Sequence, residues 1–113
     1  MLKHLIIALF LVISVPVFAQ RIDVIDGDTI RIGSEKIRLV GFNTPEKHDA
    51  KCQQEALMAA EATDYLRTLV NNSTKQIDIE RLKNKDKYRR TLAYLFVDGI
   101  DVADIMIGQG LAE

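Results

Sequence analysis

Three short stretches carry most of the side chains that could do chemistry: Asp26-Gly27-Asp28-Thr29, Ile37-Arg38-Leu39-Val40-Gly41-Phe42-Asn43-Thr44-Pro45-Glu46 and Asp86-Lys87-Tyr88-Arg89-Arg90. They supply carboxylates, amide and hydroxyl oxygens, and arginines. Hard oxygen ligands hold a divalent cation, a carboxylate can take a proton from water, and guanidinium groups stabilise charge on a phosphorane-like transition state. The inventory is therefore that of metal-assisted phosphodiester hydrolysis. Each motif alone also has a plainer reading. Asp-Gly between alternating strands is a common hairpin turn. Thr44-Pro45-Glu46 has the composition of a helix start, with cap, first-turn proline and first-turn acid. Arg89-Arg90 at a strand opening reads as a solvated pair. Arg38, flanked by Ile37 and Leu39 in a strand, faces opposite to both, either to solvent or into a cleft. His4 and His48 form no ligand pair, which sets zinc aside.

The elements that must position these residues follow from periodicity. Alternation over Ile22–Asp26 and Thr29–Ile32 predicts two strands around the Asp-Gly turn, and Lys36–Val40 a third. From Lys51 to Asn71 the period becomes helical, with Ala56, Ala59, Ala60, Thr63, Leu66, Leu69 and Val70 on the buried side. Gln76–Glu80 predicts a fourth strand, Lys83–Lys87 a charged turn, and Arg90–Val97 a fifth strand. Asp101 is placed to cap a short helix through Gly108, with Val102, Ile105 and Met106 as its apolar side and Gly110 as its terminator. The order β-β-β-α-β-β-α fits an α+β domain built on a small, partly open, five-stranded Greek-key barrel of the oligonucleotide/oligosaccharide-binding (OB) type.

Residues 1–19 have the features of a secretory signal peptide: Lys3 at the start, an apolar stretch from Leu5 to Val15, and the small-residue end Val17-Phe18-Ala19. Pro16 interrupts an apolar run shorter than the roughly 20 residues that span a bilayer. Export with cleavage is expected, leaving one domain over 20–113, without a stable membrane anchor and without lipid attachment. A single cysteine, Cys52, excludes an internal disulfide. The whole chain carries −1, with 15 basic and 16 acidic residues, and removal of Lys3 leaves 14 against 16. That balance is unusual for a nonspecific polyanion binder, although the placement of charge matters more than its sum.

The motifs, in this order and spacing, resemble the staphylococcal nuclease (thermonuclease) family, whose pattern runs Asp-Gly-Asp-Thr, Arg-Leu-x-Gly/Leu-x-Asp-Thr-Pro-Glu and Tyr-Gly-Arg. Leu92-Ala93-Tyr94, Asp98-Gly99 and Gly108-Gln109-Gly110-Leu111-Ala112 extend the likeness over nearly all of the chain after residue 19. The resemblance implies a five-stranded OB barrel that hydrolyses DNA and RNA with one bound Ca2+ and low sequence specificity, cutting on the 5′-oxygen side. By motif match it makes Asp28, Asn43 and Thr44 the metal ligands, the last through its carbonyl. It makes Arg38, Glu46 and Arg90 catalytic, with Glu46 acting on the attacking water, and it gives Lys87 and Tyr88 the nucleotide phosphate.

Three departures from the family pattern are visible. Asn43 stands where Asp is usual, keeping an oxygen and losing a charge, which should weaken calcium binding or shift metal preference. Arg89 replaces glycine, either adding a phosphate contact or marking a backbone that does not need glycine's freedom. The sequence ends at Glu113, before the family's further C-terminal helix, so a truncated barrel is expected. The expectation is an exported monomeric endonuclease, periplasmic or secreted. Its rival is a noncatalytic OB nucleic-acid-binding module, and more remotely an envelope protein in which Asp28, Arg38, Glu46 and Arg90 form only a salt-bridge network.

Overall fold

The computed structural model describes residues 21–46 and 51–113. Residues 1–19, expected to be a signal peptide, lie outside the described residues, as does His48. Strands β1 (Ile22–Asp26) and β2 (Thr29–Ile32) form a hairpin around Gly27-Asp28, and β3 (Glu35–Leu39) pairs antiparallel with β2. Helix α1 (Gln53–Val70) then crosses over, so that β5 (Thr91–Val97) runs parallel to β3. Strand β4 (Ile77–Lys85) pairs antiparallel with β5. The sheet order is β1-β2-β3-β5-β4, with the two-residue β6 (Ile100–Asp101) also on β5. The expected five strands are all present. The sixth is a short addition where a turn and cap were expected, and the sheet is not closed.

The alternation along β5 puts Thr91, Ala93, Leu95 and Val97 inward, against Ile30 of β2 and Ile37 and Leu39 of β3. Ile30, Ile37, Leu39, Leu66 and Leu95 are fully buried, each contributing on the order of 2 kcal/mol by area removed from water. Helix α1 covers this face with Ala59, Ala62, Thr63, Leu66 and Val70. Ala60, expected on that face, is exposed, and Ala62 takes its place. The stripe is thus rotated toward the side of the helix that approaches the β1–β2 turn. Small residues at 59 and 62 let the helix lie close, and an ideal Cβ on Gly27 would lie only 2.9 Å from that of Ala62.

Helix α2 (Val102–Gly108) begins as expected, with Asp101 Oδ1 accepting the Ala103 N–H at 2.9 Å. It buries Val102, Ala103 and Met106, with Ile105 half-buried. It ends at Gly108 with Gln109 as its cap, and Gly110, with φ of +72°, turns the chain so that Leu111 N–H reaches the Met106 carbonyl at 2.9 Å. Two boundaries differ from expectation at the other end of the sheet. Strand β4 continues through Lys85 rather than stopping at Glu80, with irregular pairing between Arg81 and Lys85. The turn shrinks to Asp86–Arg90, closed by the Asp86 carboxylate and by two backbone bonds at 3.0 Å, Arg89 N–H to the Asp86 carbonyl and Asp86 N–H to the Arg90 carbonyl. Thr44-Pro45-Glu46, read as a possible helix start, is irregular backbone, and α1 begins only at Gln53.

Candidate active site

The register of β2 and β3 pairs Thr29 with Arg38, and Leu39 N–H bonds the Asp28 carbonyl at 2.8 Å. The β1–β2 turn is therefore fixed beside Arg38. The parallel pairing of β3 with β5 brings Arg90, one residue before β5, to the same end of the sheet. A cleft of about 350 Å³ opens there. Six of the eight residues singled out in the sequence line it: Asp28, Arg38, Asn43, Thr44, Glu46 and Arg90. Lys87 and Tyr88 do not. They occupy the adjoining β4–β5 turn, with the Tyr88 ring centroid 5.4 Å from Arg90 Cζ.

Arg38 faces the cleft rather than solvent, its side chain 19% exposed. Nη1 donates to the Leu39 carbonyl at 2.6 Å and lies 3.3 Å from Asp28 Oδ2, while Nη2 donates to Asn43 Oδ1 at 2.7 Å and to the Phe42 carbonyl at 3.3 Å. This guanidinium shapes the loop from Leu39 to Asn43 as much as it charges the cleft. The loop is also held from the C-terminal side, where Asn43 and Glu113 exchange both backbone N–H···O bonds at 2.9 Å. Nothing in the sequence pattern signalled that pairing.

Asp28 Oδ1 accepts from Thr29 Oγ1 at 3.0 Å, and Oδ2 accepts from Thr44 Oγ1 at 3.1 Å and from Thr44 N–H at 3.3 Å. Gly27 makes this approach possible, since its ideal Cβ would lie 2.7 Å from Thr44 Cγ2. The glycine between the two aspartates thus permits close packing of the Thr44 loop as well as the turn.

Arg90 is held differently. Its Nε donates to Asp86 Oδ2 at 2.7 Å, and its backbone N–H to Asp86 Oδ1 at 2.8 Å. Asp86 Oδ1 also accepts Tyr88 N–H at 2.9 Å. Desolvation raises the Asp86 carboxyl, but the bonds from Arg90 and Tyr88 and the Arg90 charge outweigh it and hold the pKa below its ordinary value. The terminal nitrogens of Arg90 have no hydrogen-bond partner among the described residues, so they remain open to the cleft. Asp86, named within the third stretch but given no role of its own from sequence, is placed to position Arg90. An Asp four residues before a strand-opening Arg was the available signal.

Glu46 is exposed at the rim, and its N–H donates to Glu55 Oε1 at 3.3 Å. It forms no ion pair with Arg38 or Arg90 among the described residues. Asp28, Arg38, Glu46 and Arg90 therefore do not make one salt-bridge network. Arg38, Asp28, Asn43 and Thr44 are bonded to one another, whereas Glu46 and Arg90 line the same cleft without joining them.

A hard cation suits this donor set. Asp26, absent from the predicted ligands, lines the same cleft, and its Oδ1 is buried without a hydrogen-bond partner among the described residues. An unpaired buried carboxylate oxygen is costly unless a positive charge meets it. With Asp28, the Asn43 amide oxygen, the Thr44 carbonyl and Glu46, it makes an all-oxygen set of the kind calcium takes. No tight group of three acidic, histidine or cysteine side chains is preformed among the described residues.

An open α+β sheet of the OB kind, carrying an oxygen-rich, arginine-lined cleft at one strand end, defines the class. Residues 36–113 match the family described as Staphylococcal nuclease homologue, and the chain belongs to that family. It is 34% identical over 94 residues to Endonuclease YncB of Bacillus subtilis (strain 168), covering 79% of this chain and 44% of that protein. It is 33% identical over 94 residues to the SPbeta prophage-derived endonuclease YokF of the same organism, covering 79% and 31%. To the thermonuclease of Staphylococcus intermedius it is 34% identical over 95 residues, covering 80% and 55%. The chain thus spans about half or less of the length of these curated relatives.

Proposed function

We propose that this chain is a divalent-cation-dependent endonuclease that hydrolyses phosphodiester bonds of DNA and RNA with low sequence specificity, and that the cation is calcium. The observation that carries this reading is the convergence of Asp28, Arg38, Asn43, Thr44, Glu46 and Arg90 on one cleft. The names of the relatives, endonuclease and thermonuclease, support it.

Asp28, the Asn43 amide oxygen and the Thr44 carbonyl would hold the cation, with Asp26 beside them. When bound, calcium would screen the phosphate and polarise a water. Glu46 is exposed at the rim, and its carboxylate takes the proton from the attacking water. Arg90 turns its free terminal N–H groups toward the phosphate oxygens, where a planar guanidinium can bind two of them. Arg38 keeps Asn43 and the Asp28 turn in register and adds positive charge. The water oxygen bonds to phosphorus as the bond from phosphorus to the 5′-oxygen breaks, and the leaving oxygen takes a proton from solvent.

One observation favours the rival reading of a noncatalytic nucleic-acid-binding module: Arg38 already occupies Asn43 Oδ1 at 2.7 Å, and Asn43 lacks the negative charge that would draw a cation to that oxygen. Hydrolysis of single-stranded DNA by the chain from Gln20, in calcium and in chelator, with Asn43→Asp in parallel, separates the two. Calcium-dependent cleavage, with a melting temperature raised by calcium, is expected. A folded protein that binds DNA but neither cleaves it nor gains stability with calcium identifies the module. Export through residues 1–19 to the periplasm or medium, and a monomeric state without membrane attachment, belong to the same proposal. Among the described residues no helix is long and apolar enough to cross a membrane. Immunoblotting of periplasm and medium for the shortened chain tests the export.

A further inference from the structure

The residues from Arg81 to Arg90 contain six cations and one carboxylate, Asp86, although the chain as a whole carries −1. The remaining 103 residues hold nine cations and fifteen acids. Positive charge in this acidic protein is therefore concentrated in one hairpin, made by the end of β4 and its turn into β5. Two of the six cations are engaged. Arg81 binds Glu35 of β3, with Nη2 to Oε1 at 2.8 Å and Nε to Oε2 at 3.0 Å, and Arg90 binds Asp86. Lys83, Lys85, Lys87 and Arg89 are exposed and form no ion pair among the described residues.

Arg89 carries independent weight. Its φ is +63°, in the left-handed region that favours glycine, so the backbone does need glycine's freedom and the chain keeps an arginine there nonetheless. The side chain is exposed and makes no hydrogen bond among the described residues. A residue that strains the backbone without supporting the fold is understandable if its charge is used. Tyr88, 67% exposed, stands beside it, with Lys87 Nζ 5.1 Å from its ring centroid. An accessible ring among cations suits an unstacked base next to a phosphate, which favours a single strand over a duplex.

We propose that the β4–β5 hairpin is an extended docking track for single-stranded nucleic acid, in which Lys83, Lys85 and Arg89 hold the phosphodiester backbone beyond the nucleotide in the cleft. The track deepens the nuclease reading and rests on it for direction, since Arg90 joins track to cleft. Its electrostatics do not depend on catalysis. Ordinary surface lysines would be dispersed among acids, whereas here the only carboxylate between residues 81 and 90 is already bound to Arg90.

The test is the salt dependence of binding of a single-stranded DNA oligonucleotide to the chain from Gln20, in chelator so that no turnover occurs. Each phosphate contact contributes about −0.7 to the slope of log K against log salt. Lys83→Gln/Lys85→Gln/Arg89→Gln should flatten the slope by about 2 and weaken binding at low salt more than tenfold. The control Arg21→Gln/Arg67→Gln/Lys75→Gln removes the same charge elsewhere and should change the slope by less than half as much. Arg89→Gly alone should flatten it by about 0.7 while leaving the melting temperature equal or higher, because the strain is relieved. If the hairpin triple does not fold, Arg89→Gly and Lys83→Gln/Lys85→Gln decide. Equal loss in both triples, no loss in the hairpin variants, or no binding by the parent chain each overturns the track. Binding with the expected slopes but no cleavage in calcium overturns the nuclease reading and leaves the track standing.

Discussion

The two arginines of the cleft are fixed in opposite ways. Arg38 spends both terminal nitrogens on the protein, on three backbone carbonyls and on the side chains of Asn43 and Asp28, within 2.6 to 3.4 Å. Arg90 is held through Nε by Asp86 at 2.7 Å and leaves its terminal nitrogens free among the described residues. Both are mostly shielded, at 19% and 24% side-chain exposure, so burial does not distinguish them. The difference is which donors the protein already uses. A guanidinium that satisfies a loop is a structural hub with a charge, whereas one held from behind is a tool presented to a ligand. The resemblance implies a catalytic role for both, and their hydrogen bonds differ.

The sharpest way to break that contrast is Arg90→Ala. Cleavage should fall on the order of 10²- to 10³-fold, while the melting temperature changes little, since Asp86 keeps two backbone donors. Arg38→Ala should invert the balance. It strands acceptors on the loop and on Asp28, with an expected stability loss of about 2 kcal/mol, or roughly 10 °C for a domain of this size. Thermal melts of the two variants side by side check both expectations. Equal destabilisation would erase the distinction.

Asn43→Asp probes the Arg38 side. One added charge near a divalent ion is worth about 8 kcal/mol at 4 Å and an effective dielectric of about 20 before desolvation, so a tightening on the order of tenfold in calcium affinity is expected even after desolvation and with Arg38 competing. Calorimetric titration measures it.

The smallest effect concerns pH on the Arg90 side. Asp86 has a folded pKa below its unfolded value, so its stabilising contribution is complete above about pH 4 and is lost as pH falls through the lower folded value. Asp86→Asn should flatten the acid limb of a melting-temperature profile and lower cleavage by roughly tenfold through misplacement of Arg90. An unchanged acid limb would show that Asp86 does not carry that charge coupling.

The strands around the cleft were legible because alternation and turn residues coincide there: Ile22–Asp26, Thr29–Ile32 and the run to Val97 fall within a residue of expectation. The overlooked features depend on contacts between distant segments. The extension of β4 through Lys85 was hidden because four charged residues in a row of five look like a turn until a partner strand is present. The burial of Ala62 in place of Ala60 is set by the approach of α1 to Gly27, which helix periodicity alone does not fix. The site residues themselves were legible as types. Their division into loop-holding Arg38 and outward-reaching Arg90, the orphaned oxygen of Asp26, and the pairing of Asn43 with Glu113 were not, because each is a relation between groups that local spacing leaves open.

The most direct test of the account is the single-turnover rate of single-stranded DNA cleavage by the chain from Gln20 and by its Arg90→Ala variant, each at saturating calcium and in chelator. Calcium-dependent cleavage by the parent, reduced on the order of 10²- to 10³-fold in a variant with nearly the same melting temperature, is the predicted result. Cleavage that survives chelator, or a folded Arg90→Ala variant that cuts as fast as the parent, would contradict it.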